Sequence, residues 1–187
     1  MGKSSNFKNV MRKVIFVLGI VVCVVMLGIS AAIYNDTLIR WWIPVAMGVG
    51  LGVMTGVPFH SVWGRFTNYE SRVANFLIHL VVVASLWIFG MMGGNYIFAD
   101  KSSSHVEKVE VEKKQRETRY RTRRVSRRSY TRGEPYYVYN ITVKFEDGRT
   151  KKIEVLKKRY DRIHKGDTLT FTVKRGLFGF PIIDRYK

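Results

Sequence analysis

Two patterns of apolar and polar positions divide this chain. In the first half, three long stretches contain no Asp, Glu, Lys or Arg: Val14–Tyr34 with 21 residues, Trp41–Phe59 with 19 and Val73–Phe98 with 26. A helix needs roughly 20 apolar residues to cross bilayer hydrocarbon. Lipid offers no hydrogen-bond partner to an open backbone, so such stretches must be helical. The spacing therefore predicts transmembrane helices over about 14–34, 41–59 and 73–98, a transmembrane domain of residues 1–98. Pro44, Pro58 and four glycines make the second the weakest helix in isolation. Trp41, Trp42 and Trp63 fit an interfacial aromatic belt.

In the second half the period changes to two. After a polar linker, residues 99–104, Tyr137, Tyr139, Ile141, Val143 and Phe145 alternate with mostly polar neighbours, as do Ile153 and Val155, and Leu169, Phe171 and Val173. His105–Lys113 reads as a first strand through Val109 and Val111, and Gly176 and Gly179 bracket a last turn before Pro181-Ile182-Ile183. Register decides the Glu146-Asp147-Gly148 loop. A two-residue Asp-Gly turn would place Ile141 opposite Glu154 and mix the faces. A three-residue loop with Gly148 left-handed instead pairs Ile141 with Ile153 and Tyr139 with Val155. Five or so short strands over residues 105–187 predict a small antiparallel β barrel or sandwich. The expected fold class is thus an α+β membrane protein, three transmembrane helices followed by that domain.

Charge sharpens the division. Residues 99–187 hold 25 of the 32 basic and 12 of the 14 acidic side chains. Lys3, Lys8, Arg12 and Lys13 precede the first helix, and Arg65 and Arg72 lie in the second loop, whereas Asn35–Arg40 is nearly neutral. Basic flanks mark the cytoplasmic side. The expectation is a protein of the cytoplasmic (inner) membrane, amino terminus inside and β-domain outside. A cleaved signal peptide over Lys8–Ala32 would leave two crossings and the same outside domain.

Three groups of residues carry candidate interactions. Lys113–Arg132 has ten Lys and Arg in twenty residues against one acid, Glu117. Low apolar content favours a solvated, partly disordered insertion. The alternative is an anion- or partner-binding strip of Arg119, Arg121, Arg123, Arg124, Arg127 and Arg128, since arginine bonds phosphate and carboxylate bidentately. Gly48, Gly52 and Gly56 recur every four residues, a bare strip that lets another helix approach, of the same chain or of a second copy. Arg72, Asn75 and His79 share one face of the third helix and could form an intramembrane polar site. No carboxylate lies within a span to partner His79, which favours a helix-to-helix hydrogen bond over a proton route.

Other chemistry is missing from the sequence. The histidines, His60, His79, His105 and His164, are scattered, and Cys23 is alone, so no metal site or cofactor is expected. No nucleophile elbow, paired carboxylates or nucleotide loop points to an enzyme. Asn140-Ile141-Thr142 matches a glycosylation sequon in a strand, a poor acceptor. The expected partners are membrane lipids and a protein bound, or self-association made, through the helices. An outside location argues against nucleic acid. The expected role is a binding or assembly component, such as an accessory subunit of an envelope complex. A small oligomeric channel or transporter, and an immunity protein that binds a toxin, are the alternatives.

The strand from Tyr136-Tyr137-Val138, the Asp147-Gly148 turn and Lys165-Gly166-Asp167-Thr168-Leu169 resemble bacterial membrane-anchored small β-domain proteins of unknown function. The resemblance covers about residues 105–183 and implies no activity. Where those families carry a polar, proline-bearing end to the last strand, Leu177–Pro181 here is apolar.

Overall fold

The computed structural model describes residues 2–67 and 70–186, with the backbone alone at 2–6, 8, 9, 60, 65, 185 and 186. The side chains of Lys3, Lys8 and Arg65, on which the expected orientation partly rests, and of His60 lie outside the described residues. Among the described residues, nine elements follow in order: α1 (Gly2–Asp36), α2 (Trp42–Thr67), α3 (Arg72–Ile97), β1 (Asp100–Arg124), β2 (Tyr130–Lys144), β3 (Thr150–Val155), α4 (Lys157–Tyr160), β4 (Thr168–Arg175) and β5 (Pro181–Tyr186). The first three are each long and apolar enough to cross a membrane. The chain divides into two compact units: Met1–Ser103 with Lys174–Ile182, and Ser104–Val173 with Ile183–Lys187.

In the first unit α2 and α3 are the closest pair. Pro44, Gly48, Gly52 and Gly56 form one buried stripe of α2. A methyl group added to Gly48 would lie 3.1 Å from the Ala84 carbonyl oxygen, and one on Gly52 would lie 3.3 Å from the Leu80 Cα. The glycine strip therefore serves packing within the chain. Its partners Ala84, Leu80 and Phe76 recede four residues at a time, as antiparallel helices require. Ser71 caps α3 by accepting from the Ala74 amide at 3.3 Å. Pro58 sits inside α2 without ending it.

The strands form one five-stranded antiparallel sheet in the order β3-β2-β1-β4-β5. It is not a closed barrel: β3 and β5 are its edges. Strand alternation buries Val109, Val111, Ile141, Val143, Phe145, Phe171 and Val173, with the Phe145 and Phe171 rings 6.2 Å apart. Asp100–Ser104, expected as a linker, already belongs to β1. An extra residue near Glu112 shifts the β1–β2 register between Val111 and Lys113. That bulge turns Lys114 to the Ile141 side, where its ammonium lies 4.4 Å from the Tyr160 ring centre. Tyr160 in turn packs on Tyr139 at 5.0 Å, so α4 covers this part of the sheet.

The β2–β3 register is the expected one, Ile141 opposite Ile153 and Tyr139 opposite Val155. Phe145 N–H donates to the Arg149 carbonyl at 2.8 Å, and Gly148 N–H to the Phe145 carbonyl at 2.9 Å. Gly148 has φ of +82°, a conformation that L side chains adopt at a cost. Gly148→Ala is expected to lower unfolding stability by about 1–2 kcal/mol, and Gly148→Asn by less, read as shifts in denaturation midpoint. Asn140 is buried with 5% exposure, so the sequon is not an accessible acceptor.

Candidate functional site

The arginine-rich segment is an ordered β ribbon, not a disordered insertion. β1 and β2 remain paired from Glu117 opposite Val138 out to Arg124 opposite Tyr130. β3 reaches only Tyr139–Lys144 of β2, so the ribbon extends beyond the rest of the sheet. Eight residues at about 3.3 Å each give it a length of roughly 25 Å. Its hydrogen bonds hold a segment with little apolar surface, and cation–π contacts add to them. The Arg132 guanidinium lies 3.8 Å from the Tyr120 ring centre, and that of Arg116 lies 4.9 Å from Tyr137.

A second register shift falls between Tyr120 and Thr122, with the extra residue on β2 opposite Arg121. Gly133 fits here because a methyl group would come within 2.8 Å of the Arg121 carbonyl oxygen. The irregularity is thus absorbed by β2, and β1 stays extended. Arg119, Arg121 and Arg123 occupy alternate positions of β1 and so share one side. Arg124 turns back to bond the Ser126 and Arg127 carbonyls, both at 3.1 Å, and so braces the tip that carries Arg127 and Arg128. All six arginines are exposed.

Glu117 interrupts this field at the ribbon's base. It accepts from Lys152 and, at 3.3 Å, from Arg119. The Lys152 hydrogen bond first, and then Arg119, hold its carboxyl below the usual carboxylate range. A lowered folded-state pKa means that these ion pairs persist above the usual value and are lost as pH falls through the lowered one. Acidification should therefore free Arg119 and Lys152 and strengthen retention on a sulfated matrix, whose own charge does not titrate. Glu117→Gln should show the stronger retention at neutral pH and a smaller acid-dependent rise than the native chain.

The second candidate group is only partly assembled. Trp63 Nε1–H donates to His79 Nδ1 at 2.9 Å. An indole N–H cannot accept, so the imidazole proton sits on Nε2, which lies 2.8 Å from the Thr55 hydroxyl. Thr55 passes its own proton to the Leu51 carbonyl at 2.8 Å. Both ring nitrogens are thus engaged in joining α2 to α3. Trp63, expected in an interfacial belt, belongs to this network because α2 continues to Thr67. Asn75 Oδ1 meets the Thr67 hydroxyl at 3.0 Å, while Arg72 is exposed at the first position of α3. An apolar crevice of about 900 Å³ opens beside His79, lined by Phe16, Ile20 and Cys23 of α1 and Phe59 and Trp63 of α2.

A third group went unnoticed in the sequence. Asn95, 2% exposed near the end of α3, reads the backbone of the β4–β5 turn. Its Oδ1 accepts from Phe178 N–H at 3.0 Å and its Nδ2 donates to the Phe180 carbonyl at 3.1 Å. Leu38 N–H donates to the Pro181 carbonyl at 2.8 Å, and Thr37 bridges to Ile182. Phe180 packs on Ile39, Met91 and Met92. A second amide in the third span, at the end opposite Asn75, was the available signal, together with the apolar Leu177–Pro181.

Comparison with protein-family models, with curated proteins and with solved structures finds no match to the chain. The residues themselves define the class: three apolar helices long enough to cross a membrane, and a basic antiparallel sheet. Among the described residues no cluster of three or more His, Cys, Asp or Glu could hold a metal ion.

Proposed function

We propose that this chain is an integral protein of the cytoplasmic membrane, amino terminus inside and β-domain outside, acting as a binding or assembly component. Its β1–β2 ribbon docks an anionic partner of the cell envelope. The observation that carries this reading is the ordered ribbon itself, with six exposed arginines along β1 and the tip against two carboxylates, Glu117 at its base and Glu134 on β2. A solvated insertion would lose conformational entropy on binding, whereas a pre-paired ribbon has already lost most of it. Conduction draws less support, because the glycine strip faces α3 of the same chain and both His79 nitrogens are engaged. The basic face also suits an acidic toxin, but nothing in its geometry singles one out.

The test compares full-length protein with a variant in which Arg119, Arg121, Arg123, Arg124, Arg127 and Arg128 are all Gln. Both are purified from membranes in mild detergent and assayed on vesicles containing phosphatidylglycerol. Six contacts at roughly 0.5 kcal/mol each come to about 3 kcal/mol, or about a hundredfold in affinity. Binding by the native chain should also fall steeply between 0.1 and 1 M salt, where the Debye length drops from about 10 to about 3 Å. A partner recovered only with the native chain and released by salt supports docking to protein; vesicle binding supports head groups. Equal recovery and equal binding by the two proteins would sink the proposal.

A further inference from the structure

The turn between β4 and β5 combines two properties that rarely occur together at an aqueous surface. Its side chains are apolar and exposed, Leu177 at 56% and Phe178 at 53%. Its backbone N–H groups from Gly176 to Gly179, by contrast, are all paired. Four consecutive N–H groups have acceptors within the protein: Gly176 bonds the Phe180 carbonyl at 3.1 Å, Leu177 the Asn95 carbonyl at 3.4 Å, and Gly179 the Gly176 carbonyl at 2.9 Å. Phe178 N–H bonds the Asn95 side chain at 3.0 Å. The Pro181 carbonyl is taken by Leu38. An unpaired polar group costs several kcal/mol in hydrocarbon, so these pairs lower the cost of placing the turn at the membrane boundary.

Position agrees with chemistry. The turn is held at the ends of α1 and α3, where the uncharged stretches stop. A methyl group on Gly94 would lie 3.4 Å from Cε2 of the Phe178 ring. Gly94 is four residues before Phe98, so at 1.5 Å per residue the ring lies about 6 Å inside the end of the span. That falls within the roughly 5–10 Å to which interfacial elements bury their apolar faces. Trp41, Trp42, Ile97 and Phe98 are exposed at the same ends of the helices, and the Lys174 ammonium sits 5.7 Å from the Tyr96 ring centre. Gly176–Ile183 carries no charge between Arg175 and Asp184.

We infer that the β4–β5 turn is a lipid-inserting element, with Leu177 and Phe178 placed among the acyl chains just below the head groups on the α1–α2 loop side. The occupant of this surface is the bilayer itself, continuous with the lipid around α1–α3. The inference rests on the membrane reading of those helices and is independent of the arginine ribbon.

The test exploits the single, buried Cys23. In a Cys23→Ala background, Leu177→Cys and Phe178→Cys are spin-labelled in reconstituted vesicles, beside Val53→Cys on the exposed side of α2 and Glu146→Cys in the β2–β3 turn. Collision with oxygen, relative to a water-soluble nickel chelate, should be several-fold higher at 177 and 178 than at 146, and should approach the value at 53. Values at 177 and 178 matching those at 146 would overturn the inference while leaving the membrane reading intact. A water-accessible label at 53 would remove both. Spin–spin broadening at 178 would place a second copy on the turn and would also overturn it. As a check without substitutions, the native chain in vesicles doped with a tail-diazirine phosphatidylcholine should yield adducts on Leu177–Phe180; adducts confined to α1–α3 would count against lipid insertion.

Discussion

Asn95→Leu should cost this protein more stability than any other conservative change in the helical unit. The substituted side chain fills a similar volume but can neither accept from Phe178 N–H nor donate to the Phe180 carbonyl. Each orphaned, buried backbone group costs about 1–3 kcal/mol, so the pair amounts to about 2–6 kcal/mol. The cost falls on the attachment of the turn, so hydrogen exchange at Leu38 and Phe178 should accelerate before the helices themselves open. Unchanged exchange at both amides, with an unchanged unfolding midpoint in detergent, would show that the amide contributes nothing.

A partner substitution makes the expectation sharper. A Cβ at Gly176 would lie 2.3–2.4 Å from the Asn95 side-chain amide. Gly176→Ala must therefore expel Asn95 and lose the same two hydrogen bonds. Once Asn95→Ala has emptied that space, the added methyl at 176 meets nothing from it. The double variant should then lose clearly less than the sum of the two single losses, as expected for residues in direct contact. Strict additivity would mean that the two positions destabilise by unrelated routes.

What could be read in the sequence and what could not follows the reach of each interaction. The uncharged stretches, the Ile141–Ile153 register and the glycine strip are visible because charge exclusion, two-residue alternation and four-residue spacing are local rules. The sidedness of Arg119, Arg121 and Arg123 was legible for the same reason. The order of their segment was not. Low apolar content argues for disorder when burial is the only source of order, yet here backbone pairing and the Arg132–Tyr120 contact supply it. The bulge at Glu112 left no residue signal, because β1 accommodates an ordinary glutamate there. Asn95 meets Phe180 across 85 residues of chain, a distance at which neither partner marks the other. Closure of the sheet was overestimated because strand count says nothing of whether β3 and β5 pair, and they are its two edges.

The glycine strip permits the most discriminating comparison, since the chain supplies its own control. Gly50 lies two residues from both Gly48 and Gly52, on the opposite side of α2, and a methyl group there would meet nothing within 4 Å. Gly48→Val and Gly50→Val make the same change in the same helix, so intrinsic helix propensity cancels between them. At Gly48 the first atoms met are the carbonyl oxygen and Cα of Ala84, at 3.1 and 3.2 Å, and backbone cannot swing aside. Separating the helices to admit the side chain should cost about 1–3 kcal/mol or more, and it would also disturb the Trp63–His79–Thr55 bonds between α2 and α3. Gly56→Ala should be milder: its contacts at 2.6 and 2.8 Å are to the Phe76 ring, which can rotate. Gly50→Val should remain within about 0.5 kcal/mol of the native chain, like other exposed changes. Unfolding midpoints in one detergent would rank the three. A Gly50 loss equal to that at Gly48 would mean that a second copy, rather than lipid, covers the far side of α2.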